Sequence, residues 1–462
     1  MKKIITCAGL AALGATSLQA QYLGDAQPQK PWMLSARVNG FFDDNYTTRP
    51  SRLTVLSPTT GLSETIPGKR SSWGVDLNPS ASYSLQRDLT TLKLSYEYDM
   101  RYYEDRKGNS ADHSHQAEVV FGHSFTERYK LDVSDSFVVA QEPDIIDPGT
   151  RTAYLRTDGN NIRNTAVVGL NADLTEKLSS RVSYSNRMYD YQQDGEASRS
   201  ALMDRMEHVI GLDARWHFQP TTTGLVGYMF EYDKQTSTDL LGSSLLAFNQ
   251  YALDIGKSVP AFTAADRAAA FAAYPIPTSK IRDRISHYAF LGLDHTLTTQ
   301  LSAQLRAGAQ FTEFPNKWPG VEDSYVTPYA DANLRYQYSE GSVATVGVKH
   351  SQSQVDVGYI RYDNIAALDS ETTTVYGSVN HKITARLNAT GRFQVQYGEF
   401  NGTVKRLGYN SDLFTSVDVG LNFEVNKFVV AEAGYQHDHL DSDIPERSFA
   451  RNRVYVGFRA TY

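Results

Sequence analysis

Apolar and polar residues alternate along nearly the whole chain from Trp32 to Tyr462. The last strand shows this most clearly, with one face made of Val454, Val456, Phe458, Ala460 and Tyr462 and the other of Arg453, Tyr455, Gly457, Arg459 and Thr461. The same split recurs at 92–99, 301–310 and 417–424. A period of two places one apolar and one polar face on an extended strand. We therefore predict an all-β chain whose strands meet an apolar medium on one side and water on the other.

Breaks between the predicted strands alternate between two lengths. Short breaks lie near residues 87–88, 127–128, 175–176, 220–221, 298–299, 340–341, 384–385 and 426–427. Longer polar stretches lie near residues 46–71, 105–112, 142–160, 192–203, 237–282, 315–323, 358–367, 401–411 and 440–448. Short turns on one side, longer loops on the other and an even strand count are typical of outer-membrane barrels. The pattern predicts a closed antiparallel transmembrane β-barrel of about 18 strands over residues 34–462, with short periplasmic turns and longer extracellular loops.

The first strand, about Leu34 to Asn45, is expected to pair with the last. Closure is physically required, because an unpaired backbone group in hydrocarbon costs several kcal/mol. A soluble β-sandwich is the alternative, but its core could not bury the charges that most of these strands carry on their polar face. The mean hydropathy of −0.43 fits a barrel with one wet face.

The N-terminus has the features of a secretory signal peptide. Lys2 and Lys3 precede a mostly apolar segment, and the tripeptide 18–20 ends on the small residue Ala20. We predict a cleaved signal peptide over residues 1–20, a short periplasmic lead over 21–33 and export to the outer membrane. Cys7, the only cysteine, lies inside this signal, so disulfides and thiol chemistry are excluded from the mature chain.

The remaining composition argues against catalysis and nucleic-acid binding. The net charge is −7, whereas nucleic-acid proteins usually carry a basic stripe. No nucleophile elbow, zinc-protease motif or phosphate loop is present. We predict no enzyme and no catalytic, cofactor-binding or metal residue. The stretch from His437 to Asp443 is interpreted as an exposed acidic loop, with a weak cation site as its alternative.

Charged residues on the polar face are the candidate pore-lining residues. The lumen of a barrel of 16 to 18 strands is wide enough for an aqueous channel, and opposed charges there can select solutes. The alternative is that these charges only keep the wall hydrated and fix the strand register. The principal candidates are Arg37, Lys93, Glu97, Arg101, Arg181, Arg187, Asp213, Arg215, Arg306, Asp331, Arg335, Arg392, Asp418, Glu432, Arg453 and Arg459. The same parity adds Asp99, Glu118, Asp132, Glu231, Asp294, Lys349, Lys382 and Glu424.

Aromatic residues on the apolar face are expected to form girdles at the membrane interfaces. They are Tyr98, Tyr102, Tyr184, Tyr228, Tyr232, Phe311, Tyr336, Tyr338, Tyr397 and Tyr435. A sugar-binding aromatic ladder is the rival interpretation, and it needs a row of inward aromatic residues. Only the scattered Tyr329, Tyr376 and Tyr455 qualify.

The longest loop, about 237–282, contains an alanine-rich segment over residues 261–273. Ala is the best helix former, Thr263 is a suitable N-cap, and Pro275 follows as a stop. We predict a short helix here. It would either fold into the lumen as a constriction or serve as a surface lid or an oligomer contact.

The opening strand, Ser35–Asn45, resembles that of the Putative beta-barrel porin 2 family, in which a similar strand ends in an Asp-Asp-Asn element (here Asp43, Asp44 and Asn45). The short Leu-Thr-x-x-Leu turns at 174–178 and 297–301 are similar to that family's turns too. The resemblance implies an outer-membrane barrel, sometimes associated with exopolysaccharide systems, without established catalytic residues.

Three functions follow as hypotheses. The first is a porin-like channel for small hydrophilic solutes or a polysaccharide; the second is a barrel scaffold whose loops act as an adhesin or structural contact. An outer-membrane enzyme is the third and is disfavoured by the missing motifs. The expected partners are outer-membrane lipid, lipopolysaccharide and the barrel-assembly machinery, with no cofactor and no nucleic acid. A homo-oligomer is compatible with the pattern.

Overall fold

The computed structural model describes residues 31–56, 63–141, 160–196, 198–242, 244–319, 321–355, 359–360, 365–402, 410–444 and 447–462. The predicted signal peptide and most of the predicted lead lie outside these residues. In the described part of the chain, none of the helices has the length and apolar character needed to cross a membrane.

Eighteen long strands form one antiparallel sheet. Their bounds are β1 Trp32–Asp43, β2 Ser72–Arg87, β3 Thr90–Tyr103, β4 Ala111–Ser124, β5 Tyr129–Ala140, β6 Asn161–Asp173, β7 Leu178–Tyr191, β8 Arg205–Gln219, β9 Thr222–Gln235, β10 Arg284–Thr296, β11 Leu301–Glu313, β12 Ser324–Ser339, β13 Ser342–Ser353, β14 Ile365–Lys382, β15 Leu387–Gly402, β16 Ser411–Asn426, β17 Val429–Ser442 and β18 Phe449–Thr461. Short strands also occur in loops, at Arg52–Leu56, Ser63–Pro67 and Tyr359–Ile360.

The sheet closes on itself. β1 pairs with β2 on one side and with β18 on the other, in a register that places Ser35 opposite Thr461 and Asp43 opposite Arg453. Each remaining strand pairs with its sequence neighbours. The predicted closed barrel of eighteen antiparallel strands is therefore confirmed, including the pairing of the first strand with the last.

Eight connections of two or four residues lie at one end of the barrel, and nine longer ones lie at the other. The four-residue turns share one hydrogen-bonding arrangement. In each, the threonine at the second position, Thr126, Thr175, Thr298 or Thr384, accepts backbone N–H bonds from the residues two and three positions later. The hydroxyl thus replaces a missing backbone acceptor, which explains the Leu-Thr-x-x-Leu pattern.

Helices occur only in the long connections of the described chain. α1 spans Arg199–Met203, α2 spans Ser244–Ile255 and α3 spans Ala264–Ala273. Two 3₁₀ turns, Val259–Ala261 and Ser279–Arg282, flank α3. The helix predicted over 261–273 is present as α3, with Thr263 as its N-cap, whereas α2 was not predicted.

The outward face of the barrel is apolar. Val38, Leu94, Val182, Leu212 and Val456, at alternate positions of their strands, are each at least 40% exposed. The ten tyrosine and phenylalanine residues predicted as girdles share this parity. The outward face therefore has the apolar band with interfacial aromatic residues that a membrane requires.

The Asp-Asp-Asn element at the end of β1 fastens this strand to β18. Asp43, fully buried, forms ion pairs with Arg451 (2.6 Å) and Arg453 (3.1 Å) of β18. Arg453 also donates a hydrogen bond to the hydroxyl of Tyr103, which packs edge-on against Phe41. Asp43 thus neutralises two arginines of the closing strand within the barrel.

The next two residues, Asp44 and Asn45, make further contacts beyond the strand end, and we call the three residues Asp43–Asn45 the clasp. Asp44 accepts hydrogen bonds from the backbone and side-chain nitrogens of Asn452, both at 2.7 Å, and pairs with Lys69. The Asn45 amide donates to the carbonyl oxygens of Arg49 and Ala450, both at 2.8 Å. All three residues of the motif therefore bind β18 or the adjoining loop at the seam where the barrel closes.

We expect Asp43→Asn to destabilise the barrel by about 3–5 kcal/mol, because it leaves two buried guanidinium groups without their carboxylate. Urea unfolding of the refolded barrel in lipid vesicles, followed by tryptophan fluorescence, measures the change. Asp418→Asn is the matched control: Asp418 pairs with a half-exposed Arg392 at 3.5 Å, so its loss should cost less than about 1 kcal/mol. Equal unfolding midpoints for the two variants would contradict the clasp.

Candidate functional site

The principal pore-lining candidates all lie on strands, at positions of the parity opposite to the outward apolar residues. Most of them pair with a neighbouring strand. Arg101 binds Asp76 at 2.9 Å, Arg187 binds Glu207 at 3.2 Å and Arg306 binds Asp294 at 2.7 Å. Arg459 binds Glu432 at 2.9 Å, and Arg215 binds Asp213 of its own strand at 3.0 Å. Cross-strand pairs of this kind fix the register of the wall and also set its charge pattern.

The charges of the inner wall are separated into sectors. Five arginines occupy inward positions of β6–β8: Arg163, Arg181, Arg187, Arg205 and Arg215. Five carboxylates occupy inward positions of β16 and β17: Asp412, Asp418, Glu424, Glu432 and Asp438. In a ring of eighteen strands, β7 and β16 are nine strands apart and therefore face each other across the lumen.

Neighbouring strands partly neutralise both sectors. In the acidic sector, Asp418 meets Arg392 of β15, and Glu432 meets Arg459 of β18. In the basic sector, Arg205 and Arg187 share Glu207, and Arg215 pairs with Asp213. The five arginines of β6–β8 still outnumber the three inward carboxylates of these strands, Asp173, Glu207 and Asp213, and β16 and β17 have no inward lysine or arginine.

The inner wall differs between the two ends of the barrel. Towards the short turns, Arg335, Lys382, Arg392 and Glu424 are exposed to solvent. Towards the long loops, inward side chains are fully buried on strands all around the ring, among them Asp43, Tyr103, Tyr191, Arg205, Glu231, Arg284, Thr312, Phe400, Phe414 and Leu440. The wide end of the lumen is therefore at the short turns, and the long-loop end, which is extracellular in barrels of this class, is packed.

Arg284, at the start of β10, is the electrostatic centre of this packed mouth. Its guanidinium pairs with Glu231 at 2.9 Å, with Asp233, and with Asp369 at 3.3 Å. All four side chains have no solvent-exposed surface. Asp369 belongs to β14, which is not a neighbour of β10, so the start of β14 must bend into the lumen to reach Arg284.

Arg282, two residues earlier, ties three chain segments together through their backbone. Its fully buried guanidinium donates to the carbonyl oxygens of Leu202, Val355 and Leu368. These residues belong to the α1 segment, the β13–β14 connection and the start of β14. We call Arg282 and Arg284 the mouth arginines, because the segments that narrow the mouth meet at their side chains.

An apolar cluster lies beside the mouth arginines. Leu241 and Ile281 of the longest loop pack with Phe314 and Leu368, and all four are nearly fully buried. The base of the longest loop therefore contributes to the packing of the mouth.

The α2–α3 helix pair has a different position. Phe248 of α2 packs against Phe262 and Phe271, while most other residues of both helices are exposed. The constricting contacts described above come from the 3₁₀ turn Ser279–Arg282 and not from this helix pair. The role of the predicted helix as a constriction, a surface lid or an oligomer contact stays a prediction.

Inward aromatic residues are dispersed around the wall. Tyr329 packs against Tyr288 and Phe290, while the Tyr376 and Tyr455 rings lie over Gly347 and Gly434, where a Cβ would approach within 2.4 Å. Because they lie on β12, β14 and β18, these three tyrosines form no continuous row. Their arrangement does not support a sugar ladder.

The acidic stretch near residue 440 divides between the two faces of β17. His437 contacts Asn452 on the outside, and Asp438 accepts a hydrogen bond from Ser416 on the inside. Among the described residues, no three His, Cys, Asp or Glu side chains converge as metal ligands would.

Sequence reasoning missed most of the mouth. Arg205, Glu207, Asp233 and Arg284 have the correct inward parity but lie at strand ends. Asp369 has the outward parity of Val375 and lies at the register shift between Ala367 and Ser370, which simple alternation does not predict. All five lie just outside the predicted long loops at 192–203, 237–282 and 358–367, but the alternation was not followed to the strand ends. Following it to the loop boundaries would have found Arg205 and Glu207, which continue the series of Asp213.

We expect Arg282→Ala to widen the mouth and raise single-channel conductance, because three inward segments lose their shared donor. The loss of a charged donor to buried carbonyls costs about 1.5–3 kcal/mol, enough to populate open arrangements. Arg267→Ala, on the exposed α3, is the control. An unchanged conductance in Arg282→Ala, with the barrel folded, would contradict this role.

We also expect the α1 segment to become less stable as pH rises. Burial raises the pKa of Asp204, which follows α1 and accepts the Tyr191 N–H, from 3.8 to about 6. The folded state holds this proton between those values while the unfolded segment does not, so the stabilisation is complete below about 3.8 and is lost as pH rises through about 6. With allowance for solvent screening, the effect is on the order of 1 kcal/mol.

Amide hydrogen exchange at Tyr191, corrected for intrinsic rates, should therefore be slower at pH 5 than at pH 7.5. Asp204→Asn should remove this dependence. The same pH dependence in the variant would contradict the assignment to Asp204.

Comparison with known proteins gives structural alignments at low sequence identity and a family match over part of the chain. The structure aligns with OccAB4 of Acinetobacter baumannii at 10% identity, covering 94% of this chain and 99% of that one, with a TM-score of 0.41. A BenF-like porin from Pseudomonas fluorescens Pf-5 aligns at 9% identity over 93% and 98%, with a TM-score of 0.44. OccK11 of Pseudomonas aeruginosa aligns at 12% identity over 93% and 96%, with a TM-score of 0.42. No curated protein matches the sequence.

The family model described as Putative beta-barrel porin 2 matches residues 365–462, which form β14–β18. This match confirms the resemblance found in the sequence, and it falls on strands other than those that carried the resemblance. The chain is thus a porin-like β-barrel of the outer-membrane type, matched to the Putative beta-barrel porin 2 family over its last five strands.

Proposed function

We propose that this barrel is a channel that lets small hydrophilic solutes cross the outer membrane, with passage limited at the extracellular mouth. The separation of charge across the lumen, with arginines on β6–β8 and carboxylates on β16 and β17, carries the proposal. Most of these charges also pair locally, but the unequal numbers of the two signs on opposite sides of the lumen would leave a transverse field that orients and selects polar solutes.

The wall supports this proposal at the short-turn end. Arg335, Lys382, Arg392 and Glu424 are exposed there, so a solute in the lumen meets charged groups in water. Of the sixteen principal candidates, Arg181, Arg187, Arg215, Asp418 and Glu432 lie within the two sectors. Arg187 shares Glu207 with Arg205, so the other four are the proposed selectivity residues.

The proposal includes export and assembly. Residues 1–20 would direct the chain through the inner membrane, and the barrel-assembly machinery would insert it among lipid and lipopolysaccharide. Whether copies associate would be read from the number of coupled conductance steps.

A second candidate is a scaffold that binds a partner through its surface loops. The observation in its favour is the α2–α3 pair, which exposes Leu245, Leu253, Ile255 and Phe271. Exposed apolar groups in one loop commonly mark an interaction surface. Single-channel conductance distinguishes the channel from the scaffold, because a scaffold does not need an open passage through the barrel.

We expect stepwise single-channel currents from the refolded barrel in a planar bilayer. The double variant Arg181→Gln/Arg215→Gln should shift ion selectivity towards cations, and Asp418→Asn/Glu432→Gln should shift it towards anions. One unit charge changes the energy of an ion 4 Å away by about 1 kcal/mol in water. Screening by salt reduces this, so we expect permeability ratios to change roughly twofold.

Reversal potentials in a salt gradient measure these shifts, and Lys107→Gln, in an extracellular loop, is the control. Equal selectivity in both double variants would refute the transverse field. A folded barrel that passes no current, even as Arg282→Ala, would refute the channel and favour the scaffold.

A further inference from the structure

The outward face of β7–β10 has tyrosine–histidine pairs near its extracellular end, as β3 and β4 do at Tyr98 with His113 and Tyr96 with His115, and it adds a lysine to them. We call Tyr184, His208, Tyr228, Tyr232, Lys234 and His287 the outer patch. Tyr184 and Tyr228 are 42% and 40% exposed, and Lys234 is exposed at the end of β9. All six have the parity of the apolar outward residues, so they face the membrane and not the lumen.

The two histidines of the outer patch are held in the same way. The hydroxyl of Tyr184 lies 2.8 Å from Nδ1 of His208, and that of Tyr228 lies 2.8 Å from Nδ1 of His287. With the phenol donating to Nδ1, the hydrogen of a neutral imidazole lies on Nε2. Tyr232 is directly opposite His208 on β9 and stacks on its ring, which further fixes the orientation.

The outer patch therefore offers donors. Two Nε2–H groups and the Lys234 ammonium lie in neighbouring strands, with Lys234 opposite Met206, two residues before His208. Asp190, at the end of β7, and Asp283, just before β10, are carboxylates at the ends of these strands, and Asp283 interacts electrostatically with Lys234. Asp283 already accepts hydrogen bonds from Gln235 and Asn316, at 2.7 and 2.8 Å.

Charge distinguishes this patch from the rest of the rim. At or beside the outward ends of the described strands other than β7–β10 the charged groups are mainly acids: Asp44, Glu104, Glu313, Glu371, Glu399 and Asp441. Asp44 pairs with Lys69, and Glu371 lies 3.0 Å from His350. Among the outward strand positions at this end that the structure describes, Lys234 is the only lysine or arginine, so the strands offer an outward cation to an anionic head group here.

We propose that the outer patch binds the phosphate of an outer-leaflet glycolipid. The depth of the patch, within four residues of the extracellular ends of β8, β9 and β10 for His208, Lys234 and His287, matches the head-group level. Basic residues at that level recognise phosphorylated lipid head groups. The proposal rests on the outer-membrane location within the proposed function but not on conductance, so either can fail alone.

The test is native mass spectrometry of the purified full-length barrel in detergent, titrated with bisphosphorylated lipid A, with the same lipid after dephosphorylation, and with inorganic phosphate. We expect lipid A to bind about tenfold more tightly than the dephosphorylated lipid, the difference typical of charge-assisted hydrogen bonds. Lys234→Gln and the double variant His208→Phe/His287→Phe should each reduce this preference severalfold, because phenylalanine keeps the ring and removes the donor.

Two control variants remove the same types of side chain, a histidine and a lysine, at positions outside the outer patch. His437→Phe removes an outward histidine of β17, and Lys107→Gln removes an exposed extracellular lysine; both should bind lipid A like the unaltered protein. A heat-modifiable band on gel electrophoresis verifies folding, and Lys234→Met replaces any variant that fails it. Equal binding of both lipids, or equal losses in the controls, would overturn the site. Inorganic phosphate bound as tightly as lipid A would overturn the assignment to a lipid.

Discussion

The need to pair every backbone N–H and C=O inside a membrane governs this structure. An open sheet edge in hydrocarbon has no water to bind, so the sheet must close, and the closing contact is between β1 and β18. These strands are separated by the whole length of the chain, so their pairing carries the largest loop-closure entropy of any strand pair. The Asp43–Asn45 clasp lies at this seam, where side-chain contacts add most to the specificity of closure. A buried ion pair contributes more to the choice of strand register than to the net stability of the fold.

The need to satisfy buried polar groups also explains how the mouth is packed. The mouth arginines are fully buried, and a buried guanidinium is tolerated only when carboxylates or carbonyl oxygens satisfy it. Arg284 uses three carboxylates and Arg282 three carbonyl oxygens, drawn from segments far apart in sequence. An assembly of this kind has few intermediate arrangements, because moving one segment leaves several buried polar groups unsatisfied. It suits a mouth that is either narrow or open.

The two faces of the wall divide the functional roles. Inward charges pair with neighbouring strands and so help to fix the register, and this role is compatible with the proposed role in selectivity. Outward polar groups are confined to the rims, where tyrosine and histidine rings meet lipid head groups. The outer patch and the two charge sectors depend on the same alternation, since a one-residue slip in register would exchange their surroundings.

The sequence by itself determined the strand count, the alternation of turns and loops, the closure of β1 on β18 and the helix that begins after Thr263. These features depend on local periodicity, turn chemistry and capping, which neighbouring residues encode. It also assigned Arg181, Arg215, Asp418 and Glu432 to the polar face. Only the tertiary structure decided that β14 bends inward to bring Asp369 to Arg284, and that Arg282 joins the α1 segment to the β13–β14 connection. Those outcomes depend on contacts between residues separated by 50 or more positions, such as Arg284 with Glu231 and Asp369, which are 53 and 85 positions away. The alternation of apolar and polar residues does not predict such contacts, because they depend on the circumference of the closed barrel and on the burial of charged side chains.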